Sequence, residues 1–170
     1  MKATGLFAGI GGIEFGLHQS GIDAYLLSEI MPEAQSVLKN RYPKAKFSSD
    51  VTTLQKIGSV DILAGGFPCQ DLSIAGNKVG IDGERSRLVR EFFRLIEGAK
   101  TKKPKFILIE NVANSISLNK GEALKLITEE IHKLGYNWGY RLVDPRSLGI
   151  LQRRPRFIFV ASNVHYPQNM

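Results

Sequence analysis

The sequence predicts an α/β fold: a doubly wound, mostly parallel sheet with helices on both faces, of the Rossmann-like kind. Two observations predict it. Short apolar runs rich in β-branched and aromatic residues alternate with segments of helical period, and glycines or carboxylates fall where each of the first five runs ends. Alternation of this sort builds βαβ units with right-handed crossovers and parallel strands. In such a sheet the C-terminal strand ends share one edge, where ligands bind at the switch point of the strand order.

The expected strands are Ala3–Phe7, Ala24–Leu27, Val60–Ala64, Phe106–Ile109, Tyr140–Val143 and Phe157–Val160, with a weaker one at Lys46–Ser48. Helical period marks Ile13–Gln19, Pro32–Arg41, Arg85–Lys100 and Glu122–Leu134. The third helix places Leu88, Phe92, Leu95 and Ile96 on one face, and the fourth does the same with Leu124, Ile127, Ile131 and Leu134. Each stripe suits one side of a sheet. There is no internal repeat, low-complexity tract or linker, so a single domain over residues 1–170 is expected, large enough to bury about two-thirds of its unfolded surface.

Composition narrows the partners. The formal net charge is +7 and the pI about 9.6, a field that draws anions, nucleic acid foremost. Basic residues gather at Lys100–Lys105, which reads as a solvated loop before a strand, and at Arg153, Arg154 and Arg156, which lead into an apolar strand. Arg85, Arg87, Arg90 and Arg94 add to them. No apolar run reaches the length of a bilayer span, and MKATGLFAG is too short in apolar residues for a signal peptide, so a soluble, cytoplasmic protein is expected. The single cysteine allows no internal disulfide or cysteine-rich zinc cluster, and the three histidines lack ligand spacing, so no metal is expected.

The motifs sit at the strand ends. In Phe7-Ala8-Gly9-Ile10-Gly11-Gly12 the glycines permit a tight strand-to-helix turn and close backbone approach to a ligand. The third glycine of a dinucleotide fingerprint is replaced by Glu14, a poor neighbour for a pyrophosphate, so the turn suits a nucleoside better than NAD. Glu29 lies about 20 residues beyond Gly9, where an acid accepts ribose hydroxyls. Gly65-Gly66-Phe67-Pro68-Cys69-Gln70 carries the only cysteine on a proline-stiffened loop, where helix N-termini and arginines would raise its thiolate fraction. Glu110 follows the apolar run Phe106–Ile109, a setting in which a carboxyl can hold a proton and serve as a general acid. Gln152-Arg153-Arg154-Pro155-Arg156 clusters guanidinium groups at a strand start, suited to phosphate or to a base beside the thiol. Each has a plainer reading: a glycine-rich turn, a buried thiol, a turn acid, a solvated basic edge.

Together these residues resemble the C5-cytosine DNA methyltransferase family, in the family's order and over nearly the whole chain. FAGIGG is similar to its first donor-binding motif, Glu29 to the second, and Asp50 with Val51 to the third. GFPCQDLSIAG is similar to the Pro-Cys loop, Glu110-Asn111-Val112 to the Glu-Asn-Val motif, and Gln152–Arg156 to QxRxR. The resemblance implies S-adenosylmethionine as methyl donor, held along Phe7, Ala8, Gly9, Ile10, Gly11 and Gly12. Its ribose would lie on Glu29, its adenine near Ile30, Asp50 and Val51, with Gly66, Pro68 and Leu88 completing the wall. It also implies Cys69 as nucleophile on C6 of a flipped cytosine and Glu110 as its partner at N3. Asn111, Gln70, Ser73, Arg154 and Arg156 would stand around the flipped nucleotide.

Full-length members of that family continue beyond the QxRxR strand into a target-recognition region and two last motifs, which this sequence lacks. The resemblance therefore implies a truncated methyltransferase domain acting on double-stranded DNA, with a second polypeptide or C-terminal half carrying target recognition. A remnant or a recombinant fragment would look the same. Three other functions compete: a tRNA cytosine methyltransferase with the same motifs, an inactive nucleic-acid-binding remnant, and a nicotinamide-dependent oxidoreductase, which Glu14 disfavours.

Overall fold

The computed structural model of the protein describes residues 1–67, 84–117 and 121–164, with the backbone alone for 84–87. Its elements run β1 (Lys2–Leu6), α1 (Gly12–Gln19), β2 (Asp23–Ser28), α2 (Pro32–Arg41), β3 (Lys46–Ser48), β4 (Ile62–Gly65), α3 (Glu84–Gly98), β5 (Phe106–Val112), α4 (Glu122–Lys133), β6 (Asn137–Val143) and β7 (Arg156–Ser162). The seven strands are ordered β3-β2-β1-β4-β5-β7-β6. β1 is parallel to both β2 and β4, β2 is parallel to β3, and β6 is antiparallel to β7. The mostly parallel, doubly wound sheet is the one the sequence predicts. Among the described residues no helix is long and apolar enough to cross a membrane.

Two compact units make up the chain: Met1–Gly66 with Glu91–Ile107, and Phe67–Arg90 with Leu108–Met170. In the first, Leu6, Leu27, Leu38, Leu63, Phe92, Leu95 and Ile96 are fully buried. Phe92, Leu95 and Ile96 come from α3 at spacings of three and four, the helical stripe expected from sequence. Arg94 does not join a basic surface: it pairs with Glu91 at 2.6 Å and donates to the Leu54 carbonyl at 2.8 Å. Likewise Lys105, the last residue of the expected solvated loop, is bound to Asp61 at 3.0 Å. That carboxylate also accepts the Lys2 N–H, so it closes the β1 edge and its pKa is lowered by both donors.

In the second unit the buried side chains of α4, Ala123, Ile127 and Ile131, recur at helical spacing, and the alternating Phe157, Phe159 and Ala161 of β7 are buried as well. β6 starts three residues earlier than its apolar run suggests. Trp138 stands opposite Ala161 and stacks on Phe159 at 5.5 Å, so cross-strand pairing extends the strand past what local sequence marks. β5 also outruns its expected end, taking in Glu110, Asn111 and Val112, and the ladder continues in the bond from Ala113 N–H to the Pro155 carbonyl at 3.2 Å.

One packing relation in the first unit is invisible in the sequence. Glu14, in the first turn of α1, is only 3% exposed, and its carboxyl fills the space a Cβ at position 5 would need. Gly5 is glycine because Glu14 lies against β1. Among the described residues Oε2 has no hydrogen-bond partner, and burial pushes the carboxyl from an ordinary 4.5 up to about 7. Glu14 is thus packed into the core.

A group whose folded pKa is raised in this way costs stability as it ionises. Its penalty is absent below about pH 4.5 and complete above about 7. Glu14→Gln should therefore stabilise the protein at pH 8 relative to wild type, by up to about 3 kcal/mol, with the gain shrinking toward pH 5. Urea unfolding of both proteins at the two pH values measures it; an equal difference at both would show that Glu14 does not titrate in this window.

Candidate functional site

Two groups of residues occupy C-terminal strand ends, one in each unit. In the first unit, β1 ends at Leu6 and the chain turns through Phe7 (φ 55°), Gly9 (φ 54°) and Gly11 (φ 85°) into α1. Left-handed backbone at a bulky residue such as Phe7 is strained and persists only where surroundings enforce it. Here they do. The Gly9 N–H donates to Glu29 Oε2 at 2.7 Å, the Gly11 N–H to the Ala8 carbonyl at 2.9 Å, and the Ala8 N–H to Ser28 at 3.1 Å. From the end of α2, the Tyr42 hydroxyl donates to the Gly11 carbonyl at 3.1 Å and Arg41 to the Ile10 carbonyl at 3.2 Å. A Cβ on Gly11 would lie 2.8 Å from the Tyr42 ring and 3.0 Å from Leu38, so close approach as well as φ demands glycine there.

Glu29 is 9% exposed and tightly held. Its second oxygen accepts the Met31 N–H at 2.9 Å, its own N–H donates to the Ser48 carbonyl, and its carbonyl accepts the Gln35 side chain at 2.9 Å. A carboxylate offers about four lone-pair sites, so two bonds leave acceptor capacity for a diol. Beside it the apolar side chains of Ile10 and Ile30 are 59% and 69% exposed. Asp50 follows β3, where its Oδ1 accepts the Thr52 N–H at 2.8 Å, and Val51 is buried. No side chain caps α1, and helix starts carry unpaired N–H donors. An acid beside exposed apolar side chains and a glycine turn fits a nucleoside-bearing ligand. Gly66, half-buried, follows β4 in the same unit, whereas Leu88 lies half-buried on α3 in the other.

In the second unit, Glu110 near the end of β5 meets Arg156, the first residue of β7, with Nε 3.0 Å from Oε1, and each side chain is about a quarter exposed. The picture of Glu110 as a carboxyl among apolar neighbours is therefore corrected: it has a guanidinium partner at the strand end. Asn111 is 5% exposed. Its Nδ2 donates to the Phe67 carbonyl at 3.0 Å and its Oδ1 accepts the Val112 N–H at 2.8 Å. Phe67, buried, immediately precedes Pro68 and Cys69 in sequence, so Asn111 fixes where that loop departs. Arg153 and Arg154 are exposed, the latter in a tight turn where its N–H donates to the Gln152 carbonyl at 3.1 Å. Pro68, Cys69, Gln70 and Ser73 lie outside the described residues. Sequence reasoning missed Tyr42, Arg41 and Gln35, which brace the turn and Glu29; none bears a motif, and only their spacing along α2 hints that they share a side.

Residues 1–170 match the family of C-5 cytosine-specific DNA methylases. The chain is 47% identical, over its whole length, to Type II methyltransferase M2.BsuMI of Bacillus subtilis, and spans 44% of that protein. It is 38% identical to Type II methyltransferase M.Eco47II of Escherichia coli over 92% of this chain and 38% of the relative. The fold superimposes on the Dnmt2 methyltransferase of S. pombe with a TM-score of 0.78 and 23% identity, covering 97% of this chain and 52% of that one, a likeness that speaks for the fold alone.

Removing the Asn111 side chain takes away the amide that donates to the buried Phe67 carbonyl at 3.0 Å. Asn111→Ala should cost about 1 to 3 kcal/mol in chemical unfolding. A loss within a few tenths would mean that the bond contributes nothing. The chain belongs to the C-5 cytosine-specific DNA methylase family.

Proposed function

We propose that this chain is the catalytic part of a DNA cytosine-5 methyltransferase, of the kind found in restriction-modification systems, acting from S-adenosylmethionine on double-stranded DNA. The observation that carries the reading is the family match over every residue, joined by 47% identity to a Type II methyltransferase. The chain spans less than half of that relative, so target recognition and the last motifs are assigned to a further segment or a second polypeptide.

Bound at the glycine turn, the donor would supply an electrophilic methyl group. Phe7 to Gly12 would line it, Glu29 would accept its ribose hydroxyls, and Ile30, Asp50 and Val51 would face its adenine, with Gly66 beside them. The chain's own residues then solve a separate problem, because cytosine C5 is a poor nucleophile. The Cys69 thiolate adds to C6, forming a carbon–sulfur bond, while Glu110 delivers a proton to N3 and the electron pair becomes an enamine ending at C5. Once C5 is methylated, a base takes the C5 proton, the carbon–sulfur bond breaks to free the Cys69 thiolate, and N3 returns its proton to Glu110, which restores the ring. Arg156, paired with Glu110, holds that carboxyl in place. Asn111 holds the Phe67 carbonyl just ahead of the segment that contains Cys69, Gln70 and Ser73 in sequence, and Arg154 would bind the flipped nucleotide's phosphate. Flipping costs a few kcal/mol, which groups that grip the extrahelical nucleotide repay.

Duplex DNA containing 5-fluorocytosine tests this, because fluorine blocks the final elimination. With S-adenosylmethionine present, wild type should form a covalent adduct, Cys69→Ala none, and Glu110→Gln should be slowed by about a hundredfold or more. Trapping is run with and without a C-terminal segment of the relatives' kind. Failure in both, with an adduct on tRNA instead, would replace DNA by RNA as substrate; failure on both nucleic acids would leave a remnant.

A further inference from the structure

The first unit contains a second concavity, which runs between α1 and α2 from the strand starts toward the residues that brace the glycine turn. It is a cleft of about 650 Å³ between the C-terminal ends of α1 and α2, lined by Lys2, Phe15, Tyr25, Arg41, Tyr42 and Lys44 among others. That volume lies within the range of small-molecule sites, roughly 300 to 1,000 Å³. Lys2 begins β1 and Leu6 ends it, so about 13 Å of strand separates the Lys2 end of the cleft from the turn, whereas Arg41 and Tyr42 at its other end bond to Ile10 and Gly11.

The lining combines rings with cations. The Tyr25 ring is braced on Gly58, where a Cβ would collide with it, and two ammonium groups flank it: Lys46 Nζ at 5.0 Å and Lys2 Nζ at 6.0 Å from its centroid. Lys46 also donates to the Tyr25 hydroxyl at 3.1 Å. Phe15, half exposed, carries the Arg41 guanidinium 5.8 Å from its centroid. Among the described residues no carboxylate pairs with the ammonium of Lys2, Lys44 or Lys46. Asp61 accepts the backbone N–H of Lys2 and the side chain of Lys105, and Asp23 stands 3.7 Å from His18. Asp23 is the one carboxylate on the lining among the described residues, and the cations Lys2, Arg41 and Lys44 outnumber it.

We propose that this cleft binds a nucleotide, with the base against Phe15 and Tyr25 and the phosphate on Lys2, Lys44 and Lys46. A bare anion would make no use of the half-exposed Phe15 ring, and a neutral apolar ligand none of the lysines. A phosphorylated base uses both, since every base offers a π-face and stacking on aromatic side chains is tolerant of its identity. The ligand is either a free mononucleotide or an unstacked residue of a single strand, which present the same chemistry.

Thymidine monophosphate is the probe, because it lacks the adenine that the donor site would accept. Titrated into the full chain and followed by amide resonances, it should shift Phe15, Tyr25 and Lys44, with saturating S-adenosylmethionine leaving the affinity unchanged. Thymidine and inorganic phosphate should each bind at least ten times more weakly. The double variant Lys44→Glu, Lys46→Glu should weaken the nucleotide at least tenfold, and Phe15→Ser should weaken the nucleotide while leaving phosphate unaffected, both with wild-type thermal melting. Pentathymidylate binding ten times tighter than the monophosphate would assign the cleft to a strand, and equal affinity to a free nucleotide. Inorganic phosphate binding as tightly as the nucleotide, shifts confined to the glycine turn, or undiminished affinity in both variants would overturn the proposal.

Discussion

The carboxylate of Glu29 is the tie on which the first unit's ligand edge depends. One oxygen holds the N–H of Gly9 after β1 and the other holds the N–H of Met31 before α2, so a single side chain joins two successive strand-to-helix turns. Bonds from N–H groups to an ionised acceptor are among the stronger ones a protein makes. They are needed, because Phe7, Gly9 and Gly11 all occupy left-handed backbone within five residues. A turn of that shape would not persist on local preference. Glu29 from one side and Tyr42 with Arg41 from the other hold it, and the same carboxylate that builds the turn keeps lone pairs for a ligand.

Much of this was readable from sequence, and the exceptions have physical reasons. α2 falls on the predicted residues because Pro32 opens it and the apolar period ends at Arg41. β3 was placed correctly although it has only three residues, since its neighbours leave it no other role. The errors at β5 and β6 arise where side chains with partners are drawn into strands: Glu110 and Asn111 read as a polar break, yet each is anchored by contacts from distant parts of the chain. Local hydropathy cannot register a partner 40 residues away. Glu14 shows the same limit: beside the glycines it read as a charge facing the turn, whereas it is packed against β1. The motif residues Glu29, Glu110, Asn111 and Arg156 were legible because their types are unusual at strand ends.

The positive charge of the chain is divided in a way that composition does not reveal. Arg94, Lys105, Lys133, Arg146 and Arg156 are engaged with carboxylates in their own neighbourhood, so part of the excess does structural work. Arg153 and Arg154 stay exposed ahead of β7, and Lys2 and Lys44 line one cleft with Lys46 set against its Tyr25 ring. The net field thus comes from a few local concentrations, and screening by salt leaves such clusters attractive to anions only at close range.

The contact between Gly5 and Glu14 carries a consequence for how this sequence can drift. The two positions share one volume, so a methyl group at position 5 is admissible only after the side chain at position 14 has become shorter or turned away. The order of change is therefore directional: substitution at 14 opens the way to substitution at 5, and the reverse order passes through a collision in the core. Two sites nine residues apart, on a strand and on the helix that follows it, are bound into one epistatic unit, and a comparison of relatives that treats them as independent will misjudge both.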